Sequence, residues 1–223
     1  MLDIHSHRNY PSSNAEEESG CVVVSLSVGD DTDVFSYVSK EKEGLFSVGL
    51  HPWQVDAHWR EKVERILRPA LALSQVVAVG EVGLDRLSGG DMQHQQEAFE
   101  AQVLLAEECG KPLIVHCVRS YDLLLGLHRR LHPEVPWIVH GFRGKPELAS
   151  QLLHRGIYLS FGEHYHEEAL RICPSDSFFI ETDDSGVDVG DLYFRAASLR
   201  GVPVEALVQQ VERNFSRLFS PVI

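Results

Sequence analysis

CGKPLIVHCVRSYDLLLGLHRRLHPEVPWIVHGFRG, residues 109–144, carries one design twice: a proline, a short apolar run, then a histidine, as PLIVH at 112–116 and PWIVH at 136–140. Apolar runs this short and unbroken are expected of strands covered on both faces. Residues 120–131 between them have helical period, which predicts a strand–helix–strand unit with a right-handed crossover. The pattern continues in both directions. Candidate strands lie at 2–7, 21–27, 45–50, 76–82, 112–117, 136–140, 157–161 and 178–182. Candidate helices lie near 32–42, 59–73, 92–109, 120–131, 145–154, 164–171, 191–199 and 203–217. Alternation of this kind predicts an α/β protein with a parallel sheet, and eight strands predict closure into a single (β/α)8 TIM-type barrel spanning 1–223.

Punctuation agrees with that outline. Gly44, Gly110 and Gly156 stand where helices should end, and Pro112, Pro136 and Pro203 where elements should begin. Residues 8–20, RNYPSSNAEEESG, are too short and broken for a crossover helix, so the first connection is expected to be shortened to a loop. The apolar stretches are too short to cross a bilayer, and the N-terminus carries no basic-then-apolar leader; a cytoplasmic location is expected. Cys21, Cys109, Cys117 and Cys173 are spread without a CxxC pair, which predicts reduced, mostly buried thiols. With 20 basic against 33 acidic residues and a formal charge of −13, the chain is not a protein that coats nucleic acid by broad electrostatics. A phosphate-cleaving pocket is still compatible, because bound metal reverses the local sign.

The chemistry lies in where histidines and acids fall on this outline. His5 and His7 close the first strand, and their spacing of two turns both imidazoles to one face. Glu81 follows the apolar run VVAV, His116 and His140 end the fifth and sixth strands, and Asp183 follows the eighth. A parallel barrel gathers these C-terminal ends on one rim, where such folds carry their active sites. Imidazole and carboxylate at that density is metal-ligand chemistry. Asp183 is preferred over its neighbour Glu181 because it stands further toward the rim, with Glu181 as a rival. Six ligands suit two divalent cations, or one beside a partly filled site. Such a centre activates water and clamps phosphodiester oxygens, with Glu81 and Asp183 as catalytic carboxylates and Asp183 as proton acceptor. His51, Arg119 and Arg143 are candidate substrate contacts, the arginines because a guanidinium pairs well with phosphate. The remaining histidines, His164 among them, are expected to be solvated.

DIHSH at 3–7, VGLHPW at 48–53, VGEVGLD at 79–85, HQQEAFEAQVLLAEECGKPLIVHCVR at 94–119, IVHGFRGKPELASQLLHRGIYLSFG at 138–162 and IETDDS at 180–185 together resemble the TatD-type metal-dependent deoxyribonucleases, within the amidohydrolase-like barrels. The resemblance implies a one- or two-metal phosphodiesterase acting on DNA, often from an end. It further implies that His5, His7, Glu81 and Asp183 hold one metal, and Glu81, His116 and His140 a second, with Glu81 shared. Three departures bear on substrate: RLSGG after Asp85 where an aromatic is common, HGFRG for HCFSG, and ETDDS for ETDAP. The expected activity is therefore cleavage of DNA ends or short single strands through a metal-activated water. The alternative is hydrolysis of a small ester, amide or aminoacyl substrate. The ligand set accepts Zn, Mn, Ni or Mg. Neither a membrane nor an obligate protein partner is expected. A non-catalytic metal barrel is the third reading, and the full ligand set weighs against it.

Overall fold

The computed structural model describes residues 1–7, 20–29, 33–41 and 44–219. Among them, strands β1 (Leu2–Ser6), β2 (Cys21–Ser27), β3 (Leu45–Gly49), β4 (Val76–Asp85), β5 (Leu113–Val118), β6 (Trp137–Val139), β7 (Tyr158–Phe161) and β8 (Phe178–Ile180) follow one another in sequence order through one sheet. The helices are α1 (Val34–Lys40), α2 (Trp59–Lys62), α3 (Arg68–Ala70), α4 (Met92–Cys109), α5 (Tyr121–Leu131), α6 (Pro146–Leu153), α7 (Glu167–Ile172), α8 (Val189–Arg200) and α9 (Val204–Leu218). A π-helical segment, Val63–Leu67, joins α2 to α3. Parallel strands alternating with helices, with β1 bridged to β8 at Ser6 and Asp183, give the (β/α)8 fold class expected from the sequence. The expected loop at 8–20 lies, but for Gly20, outside the described residues.

By contacts the described residues form two compact units, one from 1–24 and 139–220 and the other from 25–138. In the first, β1 pairs with β2 from Leu2↔Cys21 to Ser6↔Val24, and β7 with β8 from Leu159↔Phe178 to Phe161↔Ile180. Ile4, Phe142, Phe161, Phe178 and Phe179 are fully or almost fully buried. The Tyr193 hydroxyl on α8 donates to the Leu2 carbonyl at 2.7 Å, and the Asn214 amide on α9 donates to the carbonyls of Ser175 and Phe178. Polar side chains thus pin the helices to strand ends whose backbone groups would otherwise be buried unpaired. β8 stops at Ile180, short of the expected 182, because the Thr182 N–H turns to the Asp3 carboxylate.

The second unit is organised by α4. Asp91 caps it by accepting from the N–H groups of Gln93 and His94, and Gly110, with φ 64°, ends it in a left-handed turn. Gln95 and Gln102 lie on one face of this helix. Gln102 accepts from the Leu50 N–H and donates to the Leu50 carbonyl, while Gln95 does the same for Asp85. The two amides therefore fix the ends of β3 and β4 against the helix.

β4 is longer than the 76–82 expected from sequence, because Gly80 and Gly83 look like strand terminators but are not. The pairing Val79↔Leu113 is followed by Val82↔Val115, which places three residues of β4 against two of β5. That extra residue is a bulge, a device that re-aims side chains, and Glu81 sits on it. Gly83 has φ 152°, and a Cβ there would lie 1.9 Å from the His116 carbonyl oxygen. Glycine is thus required for the two strands to touch where Glu81 and His116 face each other. Gly83→Ala is expected to cost about 3 kcal/mol or more, the range of a forbidden backbone conformation combined with overpacking. Chemical denaturation measures this; parental stability in the variant would show that the approach is not obligatory.

Candidate metal centre

In the first unit the backbone itself joins the ligands. The Asp183 N–H donates to the His5 carbonyl at 2.9 Å, and the His7 N–H donates to the Asp183 carbonyl at 3.1 Å. Asp183 takes a left-handed conformation, φ 56°, which turns the chain just past β8. His5 Nε2 lies 3.7 Å and His7 Nε2 3.5 Å from the same oxygen, Asp183 Oδ1. These separations are too long for hydrogen bonds. The His7 separation matches instead the edge of a tetrahedron, roughly 3.3–3.5 Å, around a cation bonded at about 2.1 Å to each ligand, and the His5 separation lies slightly outside that range. His5, His7 and Asp183 form one group able to hold a metal ion, and His140, Glu181 and Asp183 form another, with ligand atoms within 4.8 Å of one another in each. The His5 and His140 rings lie 4.3 Å apart between centroids.

Glu181, offered by the sequence only as a rival to Asp183, is fully buried and lies beside His140, with Oε1 at 3.5 Å from Nδ1. The Gly141 N–H also donates to that oxygen. Burial by itself would raise the Glu181 carboxyl, but His140 and His5 outweigh it and hold it below the ordinary range. Asp183 is about one quarter exposed and, with Glu181, Arg143 and His164, lines a cavity of about 250 Å³. Arg143, the proposed phosphate contact, is exposed and borders this acidic cavity. His164, expected to be merely solvated, borders it too. On β1, burial pushes the Asp3 carboxyl up to about 7 even though Thr182 donates to it through both N–H and hydroxyl.

In the second unit Glu81, only 5% exposed, is the hub. Its Oε1 lies 2.6 Å from His116 Nδ1 and 3.1 Å from His51 Nε2. The two imidazoles are not equivalent. His51 Nδ1 accepts the Trp53 backbone N–H, so that nitrogen carries no proton. Its Nε2 is then the protonated nitrogen and donates to Glu81, which makes His51 a hydrogen-bond donor rather than a ligand in this arrangement. His116 is the reverse case. Its Nε2 faces Asp85 Oδ2 at 3.1 Å, and a carboxylate can only accept, so Nδ1 turns toward Glu81. At 2.6 Å the two stand at hydrogen-bond distance, sharing a proton that a metal held by both would replace.

Asp85 is not among the site residues expected from the sequence. It is 3% exposed, accepts the Trp53 indole N–H at 2.7 Å on Oδ2, and accepts the N–H groups of Leu87 and Ser88 on Oδ1. Burial favours its neutral form, but these donors and His116 together hold its carboxyl below the usual range. An available signal was the alternation of Glu81, Gly83 and Asp85, which share a strand face once β4 is known to continue. Arg119, the other proposed phosphate contact, stands exposed in a left-handed turn after β5, with φ 50°. The cysteines are free as expected, but Cys21 is exposed rather than buried.

A family model described as TatD related DNase matches residues 3–220. The 3'-5' ssDNA/RNA exonuclease TatD of Enterobacter lignolyticus is 26% identical, over 83% of this chain and 75% of that protein. The uncharacterized metal-dependent hydrolase YcfH of Escherichia coli K12 is 29% identical, over 92% of this chain and 84% of its own length. Among solved structures, the TatD homolog YjjV from Escherichia coli K12 superposes with a TM-score of 0.82 at 24% identity, over 98% of this chain and 97% of that one.

Proposed function

The chain belongs to the TatD-related DNase family, and on that premise we propose that it is a metal-dependent hydrolase that cleaves phosphodiester bonds of DNA ends or short single strands. The observation that carries the reading is the convergence of His5 Nε2 and His7 Nε2 on Asp183 Oδ1 at distances suited to a shared cation. The proposed ligands are His5, His7, Glu81, His116, His140 and Asp183, for one or two divalent ions among Zn, Mn, Ni and Mg. Bound metal supplies a water of lowered pKa and neutralises charge on the phosphate oxygens. The chain's own residues do the rest. Asp183, the partly exposed carboxylate at the cavity, accepts the proton of the attacking water. His51 donates its Nε2–H to Glu81 and so fixes that carboxylate. Asp85 fixes the ring of His116, the role that outer carboxylates play for ligating histidines. Arg143 binds a phosphate oxygen beside Asp183, and Arg119 is the proposed second phosphate contact. No helix among the described residues is long and apolar enough to cross a membrane.

The test uses metal-stripped protein, labelled single-stranded DNA, and Mg²⁺, Mn²⁺, Ni²⁺ or Zn²⁺ added separately. Cleavage is expected with at least one ion and is expected to vanish with excess chelator. Turnover of a chromogenic ester or amide, with no DNA cleavage under any ion, would overturn the substrate assignment and favour the small-molecule alternative.

A further inference from the structure

Trp53 is the exception among the three tryptophans of this chain. Trp59 and Trp137 are 4% and 1% exposed, whereas Trp53 is 57% exposed. An exposed indole is ordinarily free to change rotamer, but this one is held along its edge. Its Nε1–H donates to Asp85 Oδ2 at 2.7 Å, and its ring meets His51 edge-on at 4.8 Å and His116 at 5.9 Å. Its backbone N–H is tied to His51 Nδ1 at 3.2 Å. The carboxylate that anchors the indole is the same one that orients His116, so the ring is fixed relative to that proposed ligand. Asp85 Oδ1 also holds the backbone N–H of Leu87, whose side chain is 65% exposed. A rigid aromatic with one edge committed to hydrogen bonds and much of its surface open to solvent loses little rotamer entropy when a flat partner lies on it.

We propose that Trp53 is a stacking platform for a nucleobase beside His116, and that it favours single strands and frayed ends because only an unstacked base can reach it. This deepens the hydrolytic reading above and rests on it for the identity of the substrate. Stacking on an aromatic tolerates any base, so the platform gives strand-state selectivity without sequence selectivity.

Binding is tested apart from cleavage. With metal chelated, single-stranded DNA added to the protein is expected to quench tryptophan emission, and the quenching is expected to disappear in Trp53→Leu, where only the buried Trp59 and Trp137 remain. Cleavage is then compared on an ordinary oligonucleotide and on one with abasic residues at its end. Trp53→Leu is expected to raise KM about 10-fold on the ordinary strand, within the range found for loss of one base–aromatic stack, and to change KM less than about 2-fold on the abasic one. Trp53→Phe keeps a ring without the N–H; its KM on the ordinary strand is expected to stay near parental. Equal effects of Trp53→Leu on both strands would mean that the indole acts only through Asp85 and His116, and would overturn the proposal. Absence of quenching with the parent would also overturn it, even if cleavage persists. Quenching without cleavage under any metal would uphold the platform while defeating the hydrolytic assignment.

Discussion

Asp183→Asn is expected to lower kcat on single-stranded DNA about 1,000-fold, in the range of losing a general base. Asparagine is the informative replacement because the position has φ 56°, a left-handed conformation that Asn tolerates better than most residues. The backbone bonds from Asp183 to His5 and His7 should therefore survive. What changes is the charge at Oδ1, the atom on which both imidazoles converge. Folding stability in the absence of metal is expected to change by less than about 1 kcal/mol, since the side chain borders a solvent-accessible cavity rather than the core. Single-turnover kinetics and metal titration on the same sample separate proton transfer from metal affinity. Retention of more than a tenth of parental kcat would remove Asp183 from the catalytic role.

Glu81→Gln addresses the other carboxylate. Glu81 is buried and its Oε1 takes both His51 and His116, so an isosteric amide keeps volume while removing the charge. Metal affinity is expected to fall more than about 100-fold, beyond the 10–100-fold typical when only an outer partner of a ligand is lost. A thermal shift reads this directly. Metal at about 100 times its Kd stabilises a folded chain by roughly 2.7 kcal/mol. For a chain of this size that corresponds to a Tm rise of about 5–10 °C. The parent should show that rise and Glu81→Gln should not, with DNA cleavage lost in parallel. An undiminished thermal shift in the variant would mean that Glu81 holds no metal.

The contrast between these residues and their supports shows where local pattern is informative. His5 and His7, at a spacing of two, and the histidines ending two similar apolar runs could be placed from the chain alone. Strand polarity and side-chain alternation are local properties, and they direct a residue before any partner is known. The end of α4 was equally accessible, where Gly110 marks the limit with a known backbone preference. Asp85 was hidden because two glycines made β4 look finished at 82, and the reason for those glycines lies in another strand: the His116 carbonyl leaves no room for a Cβ.

The order of strands and helices, the (β/α)8 class and the candidate ligands could all be read from the amino acids, because apolar period, caps and breakers act within a few residues of one another. Folding settled the rest: the bulge that carries Glu81, the proton on His51 that makes it a donor, the carboxylate of Asp85 holding both Trp53 and His116, and the burial of Glu181 beside His140. Apart from the Trp53 N–H that sets the proton on His51 from two positions away, each depends on contacts between groups 30 or more positions apart in the chain. Such partners follow no period, and only the packed strands bring them within reach.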